Sequence, residues 1–201
     1  MRTLQWFLVT LAAVAGNLCA RADPPTAQVR ATTDKILALL GAPDLKGDAR
    51  KDERRRLIRK ELDQRFDWPM IARSCLGRHW AKRTRAEQVE FSGLFTRFLE
   101  DNYIERFETY YGDLDKIDYL GEKIIDDYAS VKVLITTKNQ VAHPVEYRLE
   151  KTGGDWRIYD VLIEGVSLVK NYRDQFDEII AKSSYEKLVA ELRAKGPGKA
   201  R

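Results

Sequence analysis

The spacing of apolar residues changes at Gly112-Asp113, and that change constrains the fold more than any other feature. Before it, apolar residues recur every three or four positions, the period of a helix; after it they alternate, the period of a strand. Val29, Thr33, Ile36, Leu37 and Leu40 predict a first helix, stopped by Gly41-Ala42-Pro43. Leu57, Ile58, Leu62 and Phe66 share one face of a second. Asp67 can cap a short third helix through Met70, Ile71 and Cys75, which Gly77 ends. Thr84-Arg85-Ala86-Glu87 has the capping-box pattern and opens the longest helix.

Beyond Gly112 the strands follow one another closely. Ile117, Tyr119, Ile124 and Ile125 form a first, ended by Asp126-Asp127, and Val131, Val133 and Ile135 mark a second. Val145, Tyr147 and Leu149 mark a third, and the turn Lys151–Asp155 leads into a fourth at Trp156. Connections this short make an antiparallel meander rather than βαβ units. In the fourth strand Ile158 and Leu162 fall on one parity and Tyr159, Val161 and Ile163 on the other, which predicts apolar contact on both faces. Gly165 then releases a helix carrying Leu168, Val169, Tyr172, Phe176, Ile179 and Ile180. Ser183-Ser184-Tyr185-Glu186 caps a last one with Tyr185, Leu188, Val189 and Leu192. The expected architecture is a single α+β domain over residues 23–195, with helices packed on a four-stranded antiparallel sheet and two further helices at the C-terminal end. Gly196–Arg201 reads as a disordered tail.

The N-terminus points to export. A positive end at Arg2, an apolar run Trp6–Ala15 and the small-x-small site Ala20-Arg21-Ala22 predict a signal peptide, Met1–Ala22, cleaved before Asp23. The run is too short to span a bilayer. Cys19 raises a lipoprotein alternative, against which stands the bulky Leu18 before it. Cleavage after Ala22 removes Cys19, so the mature fold cannot depend on an internal disulfide. It also lowers the formal charge of +4 by the two arginines Arg2 and Arg21. Basic and acidic residues interleave, which is no nucleic-acid footprint. The densest basic run, Arg50–Arg56, reads as a solvated helix face or as a contact for anionic lipid or a partner. No later run is long enough to cross a membrane, which predicts a soluble mature protein.

Signals of catalysis are weak. The chain has two histidines, His79 and His143, neither with a ligand or carboxylate partner at useful spacing. Gly165-Val166-Ser167-Leu168-Val169 only half matches a nucleophile elbow, because valine stands where that turn needs glycine, and helix capping explains Ser167. Asp113-Leu114-Asp115 and Asp126-Asp127 lack calcium-loop spacing, and no glycine-rich phosphate cradle is present. These readings predict a protein that is not an enzyme and needs no cofactor or metal. What the chain does have is a broad aromatic face on its longest helix: Phe91, Phe95, Phe98, Leu99, Tyr103, Phe107, Tyr110 and Tyr111. Such a stripe serves equally as packed core or as the wall of a long groove.

Several segments in order resemble one family. Trp156–Phe176, Phe66–Ala72 followed by Leu76-Gly77-Arg78-His79-Trp80, Gln88–Tyr103, and the pair Pro144–Leu149 with Trp156–Val161 together are similar to the periplasmic toluene-tolerance proteins, the MlaC-type phospholipid carriers. The resemblance implies an NTF2-like fold in which acyl tails insert between sheet and helices and the head group faces solvent. It implies lipid transport that maintains outer-membrane lipid asymmetry. The implied partners are an outer-membrane lipoprotein complex and an inner-membrane ABC transporter with a periplasmic substrate-binding subunit. A lipid so held would meet Trp80, then Phe91, Phe95, Phe98 and Tyr103 of the long helix. On the sheet it would meet Val133, Tyr147, Tyr159 and Val161, and at the junction beyond it Val166 and Tyr172. Keeping one long acyl chain from water is worth roughly 10 kcal/mol at about 0.8 kcal/mol per methylene, so an apolar cavity alone suffices for such a task. Three other readings stay open: a carrier of a hopanoid or other non-phospholipid, a periplasmic adaptor whose aromatic face is simply core, and an esterase.

Overall fold

In the computed structural model, which describes residues 23–194, the boundary at Gly112-Asp113 separates a helical layer from a sheet. The predicted signal peptide and the C-terminal tail lie outside the described residues. The helical layer comprises α1 (Pro25–Gly41), α2 (Lys51–Arg65), α3 (Trp68–Leu76) and α4 (Arg85–Tyr110). The predicted caps are in place. The Asp67 side chain accepts from the Met70 N–H, and Thr84 and Glu87 close a reciprocal capping box on α4. Gly77 ends α3 at φ 53°, a left-handed conformation that a side chain would strain.

The sheet comprises β1 (Leu114–Ile125), β2 (Tyr128–Thr137), β3 (Ala142–Thr152), β4 (Asp155–Ile163) and a two-residue β5 (Val166–Ser167). All neighbours are antiparallel in the order β1-β2-β3-β4-β5, so the four expected strands gain a short fifth. β5 exists because Glu164 and Gly165 both take positive φ, 53° and 81°, and fold the chain back so that Val166 pairs with Ile163. Helices α5 (Leu168–Lys182) and α6 (Tyr185–Ala194) complete the chain.

One expectation about β4 is overturned. Leu149 pairs with Ile158, but the next residue back on β3, Arg148, pairs with Asp160, so Tyr159 is the extra residue of a β-bulge. The bulge reverses the alternation. Ile158 and Val161, which a regular strand would set on opposite faces, pack into the same apolar cluster with Val29, Val131 and Leu149. Tyr159 points to the other side, edge-on to Tyr128 at 6.1 Å, and Leu162 stands beside Lys132 and Glu146. The bulge therefore regroups the apolar residues, with Ile158, Val161 and Ile163 on the inner face and Tyr159 and Leu162 on the other.

Apolar side chains gather in three clusters. One lies among α3, α4, α5 and α6, one on the inner sheet face under α1, and one among α1, α2 and α4. Cys75 is fully buried in the first, where burial pushes its thiol well above the usual range and keeps it unreactive. The basic run of α2 also differs from the solvated face expected of it. Arg54 and Arg55 both bind the Glu108 carboxylate of α4, one on each oxygen, at 2.7 and 2.6 Å. Arg59 pairs with Asp101 one turn further on. These side chains tie α2 to α4, whereas Arg56 between them in the sequence is exposed. Removing the shared carboxylate leaves two guanidinium groups facing each other. Glu108→Ala is therefore expected to cost about 2 kcal/mol of stability in urea unfolding, less than for a fully buried pair. Arg56→Glu should stay within about 0.5 kcal/mol. Equal effects would show that the two arginines are solvated after all.

Candidate functional site

The inner sheet face is the first wall of the candidate site. Its register sets Val131, Tyr147 and Val161 side by side, and Val133, Val145 and Ile163 in the adjacent row. Val131 and Val133 are sealed, whereas Tyr147 and Val161 are half-buried, as are Ile117, Tyr119 and Ile135 around them. Tyr147 combines two properties. It is enclosed by protein, which pushes its hydroxyl up to about 12, yet it keeps accessible surface. Its ring adds accessible surface to an otherwise apolar sheet face.

The second wall comes from α4 and α5. Phe91 and Phe95 are fully buried and pack edge-on against Phe176 at 5.8 and 5.0 Å, so this end of the aromatic stripe is packed interior. Further along, Phe98 and Tyr103 of α4 and Tyr172 of α5 are half-buried, with Tyr172 edge-on to Phe95 at 5.2 Å and to Phe98 at 5.9 Å. Trp80, on the 3-10 turn after α3, is half-buried against the same cluster. The helices that lie against strands are α1, α2, α3 and α5, while α4 packs on α2, α3 and α6. The far end of α4 is nevertheless tethered to the sheet: the Lys138 N–H donates to the Asp113 carbonyl at 2.8 Å and its ammonium to that of Gly112 at 2.5 Å. The long helix thus spans from the sealed bundle to the end of the sheet without being laid flat on it.

At that end the apolar surface opens. Phe107, Tyr110 and Tyr111 of α4, Val141 of the β2–β3 loop, Ile163 and Val166 are all exposed, Val166 to 62%. The candidate residues therefore divide. Val133, Tyr147 and Val161 share the inner sheet face, Phe98, Tyr103 and Tyr172 line α4 and α5, and Val166 sits on the rim. Phe91 and Phe95 lie in sealed core, and Tyr159 faces away. Sequence reasoning passed over Ile117, Ile135 and Val145, although their alternation puts them on the same face as Val133 and Tyr147. It also passed over Asp160, an acid within an apolar run. This carboxylate is buried and accepts from the Val161 N–H at 3.0 Å, the Val169 N–H at 3.1 Å and the Ser167 hydroxyl at 2.7 Å. It joins the inner sheet face directly to the start of α5.

The side chains that line these two walls are apolar or aromatic. Burial raises the hydroxyls of Tyr147 and Tyr172 to about 12, so both stay neutral at any physiological pH. Ser167 caps α5 by accepting from the Lys170 N–H, and its own hydroxyl donates to the Asp160 carboxylate that also holds the Val161 and Val169 N–H groups. His79 binds Asp177 at 2.7 Å, and Arg78 binds the same carboxylate, which joins the turn after α3 to α5. His143 bonds the turn residue Glu164 at 2.8 Å. Among the described residues no group of three or more His, Cys, Asp or Glu could hold a metal ion, and no helix is long and apolar enough to cross a membrane.

Comparison with known proteins gives a consistent result. A family model described as MlaC protein matches residues 30–194. The toluene tolerance protein ttg2D of Pseudomonas putida is 26% identical over 184 residues, covering 88% of this chain and 82% of that protein. The intermembrane phospholipid transport system binding protein MlaC of Haemophilus influenzae is 26% identical over 192 residues, covering 92% and 86%. A solved structure of a phospholipid-binding protein from Ralstonia solanacearum, in complex with a phospholipid, superposes with a TM-score of 0.73 at 24% identity. It covers 86% of this chain and 97% of that one, and shows the shared fold.

A second concavity, of about 420 Å³, lies between α2, α3 and α4 and includes Arg59, Asp63, Trp68, Arg97 and Glu100. Glu100 is 5% exposed there. Burial pushes its carboxyl up to about 7, the neighbouring Asp63 adds to the rise, and Arg59 opposes it. Because this value lies above the ordinary 4.5, the folded protein holds a proton that the unfolded chain gives up. The resulting stability is fully present below about pH 4.5 and is lost as pH rises through about 7. Glu100→Gln removes that loss and can still donate to Asp63. The variant should gain on the order of 2 kcal/mol over the wild type at pH 8 and little at pH 4. Urea midpoints at the two pH values test this, and an equal shift at both would remove Glu100 as the source.

Proposed function

The chain belongs to the MlaC protein family, and from that premise we propose that it is a periplasmic phospholipid carrier. In this reading the acyl chains lie between the inner sheet face and α4 and α5. The protein ferries the lipid between an outer-membrane lipoprotein complex and an inner-membrane ABC transporter with a periplasmic substrate-binding subunit. Met1–Ala22 acts as a cleaved signal peptide, and residues 23–195 form the lipid-binding domain. The name of the Haemophilus influenzae relative, an intermembrane phospholipid transport system binding protein, supports the transport role.

The observation that carries the reading is Tyr147, enclosed by protein yet still accessible on an apolar face. In this reading an acyl chain meets Tyr147, Val161, Tyr103 and Tyr172, an environment that offers it no charge. Each methylene taken from water into it gains about 0.8 kcal/mol, comparable to its gain in a bilayer. Binding and release are then close to balanced against the membrane, as transfer requires. Solvent extraction of the purified protein followed by mass spectrometry tests the proposal. Co-purifying diacyl phospholipid supports it, a triterpenoid changes the ligand class, and an empty protein favours an adaptor.

The rim gives a sharper test. Val166 is exposed, so Val166→Glu should leave thermal stability nearly unchanged, within about 0.5 kcal/mol. A carboxylate at the mouth would meet the acyl chains as they enter, where an unpaired charge is strongly disfavoured. The expected outcome is a folded variant with reduced extractable lipid. A folded variant with its full complement would place Val166 off the entry path.

A further inference from the structure

Arg106 is an exposed cation beside the half-buried aromatic side chains of α4 and α5. It lies on α4 one turn beyond Tyr103, its guanidinium carbon 5.8 Å from the centre of that ring. That stretch of helix also presents Phe98, which meets Tyr172 of α5 edge-on. The arginines of α2 that face α4 are matched by acids: Arg54 and Arg55 by Glu108, Arg59 by Asp101. Arg106 has no such match among the described residues. The residues one turn away on α4, Asn102, Tyr103, Thr109 and Tyr110, include no acid.

The Tyr103 and Tyr172 hydroxyls lie within electrostatic range of one another and of Arg106. Burial raises both, Tyr172's to about 12, against the lowering pull of the guanidinium. Both therefore remain O–H groups and can donate. The local inventory is one guanidinium and two hydroxyl donors at the edge of an otherwise apolar space, with no anion to match them. A guanidinium presents its N–H groups in a fixed plane that fits two oxygens of a phosphate, and a ring beneath it restricts its rotamers.

We propose that Arg106, with Tyr103 and Tyr172, binds the phosphate of the bound lipid while the acyl chains lie between the inner sheet face and the helices. This rests on the carrier reading above and adds a residue that senses the head group. Because Arg106 is exposed, its contact with phosphate is screened by water, so it biases which lipid is held without preventing release.

The test compares two ligands with identical acyl chains, a phosphatidylglycerol and the corresponding diacylglycerol, presented in neutral vesicles to wild type and to Arg106→Gln. Retention of phosphatidylglycerol should fall by about 10-fold in the variant, the equivalent of one charge-assisted contact, with diacylglycerol unchanged. Arg106→Lys should recover part of the loss. Arg97→Gln, on the cleft beside Glu100, should behave as wild type toward both lipids. Thermal melting confirms that each variant is folded. Equal loss of both lipids, or loss of neither, overturns the assignment while leaving the carrier reading intact. A wild-type protein that retains neither lipid overturns the carrier reading itself, and this inference with it.

Discussion

The two layers are joined through a two-residue interruption between helices, and the placement of everything else follows from that joint. Phe66 and Asp67 leave the helical conformation between α2 and α3. Phe66 forms a parallel bridge to Ile158, and the Asp67 N–H donates to the Ile158 carbonyl at 2.9 Å. The Phe66 ring stacks on Trp68 at 4.8 Å and touches all three apolar clusters. Two arginines secure the joint from opposite directions. Arg157 of β4 donates to the carbonyls of Asp63, Gln64 and Phe66, which the end of α2 would otherwise leave unpaired. Arg65 of α2 donates to the Trp156 carbonyl at 2.6 Å and to Gln28 of α1. With the edge of β4 occupied in this way, α3 starts against β4, and α4 follows it packed mainly on other helices.

Much of this was legible in the sequence because the relevant signals are local. The helical period, the capping box at Thr84 and the glycines at 77 and 153–154 each act within a few residues of themselves. What escaped was nonlocal or parity-breaking. The Glu108 carboxylate that binds Arg54 and Arg55 lies more than fifty positions away, and no periodicity along α2 reports it. The bulge at Tyr159 inverts the parity of every residue after it, so the apolar residues of β4 share faces in a grouping that simple alternation does not give. Asp160 was the available clue: an acid is tolerated within such a run only where fixed donors meet it. Here the bulged backbone, Ser167 and the first turn of α5 supply them.

The aromatic stripe of α4 shows why the choice between core and groove was open. The stripe meets two environments along its length, one sealed and one exposed. Phe91, Phe95 and Leu99 are sealed because α3, α5 and α6 surround them, whereas Phe107, Tyr110 and Tyr111 extend past those helices toward the tethered end of the sheet. The sequence carries the same residue types in both halves. What distinguishes them is how far the neighbouring helices reach, and helix length is a property of capping elsewhere in the chain. Near Gly41 the close approach is steric as well: a Cβ there would come within 2.5 Å of the Tyr111 hydroxyl, so this glycine permits the end of α1 to lie against the end of α4.

A rigid anchor and an open end on the same helix give the site a gradient rather than a boundary. Polarity rises along α4 from phenylalanines sealed in apolar core, through a tyrosine kept neutral by burial, to an arginine with no acid paired to it among the described residues. An amphiphile has the same order of groups along its length. Matching the two orders aligns the molecule by the free energy of each segment, with no need for a specific lock at any single residue. Such a site can be strong in sum and weak at each contact. A bound lipid can then leave stepwise, the head group first into water or a partner and the methylenes after it. For a protein whose ligand must be surrendered as readily as it is taken, distributing the affinity in this way keeps the largest single barrier low.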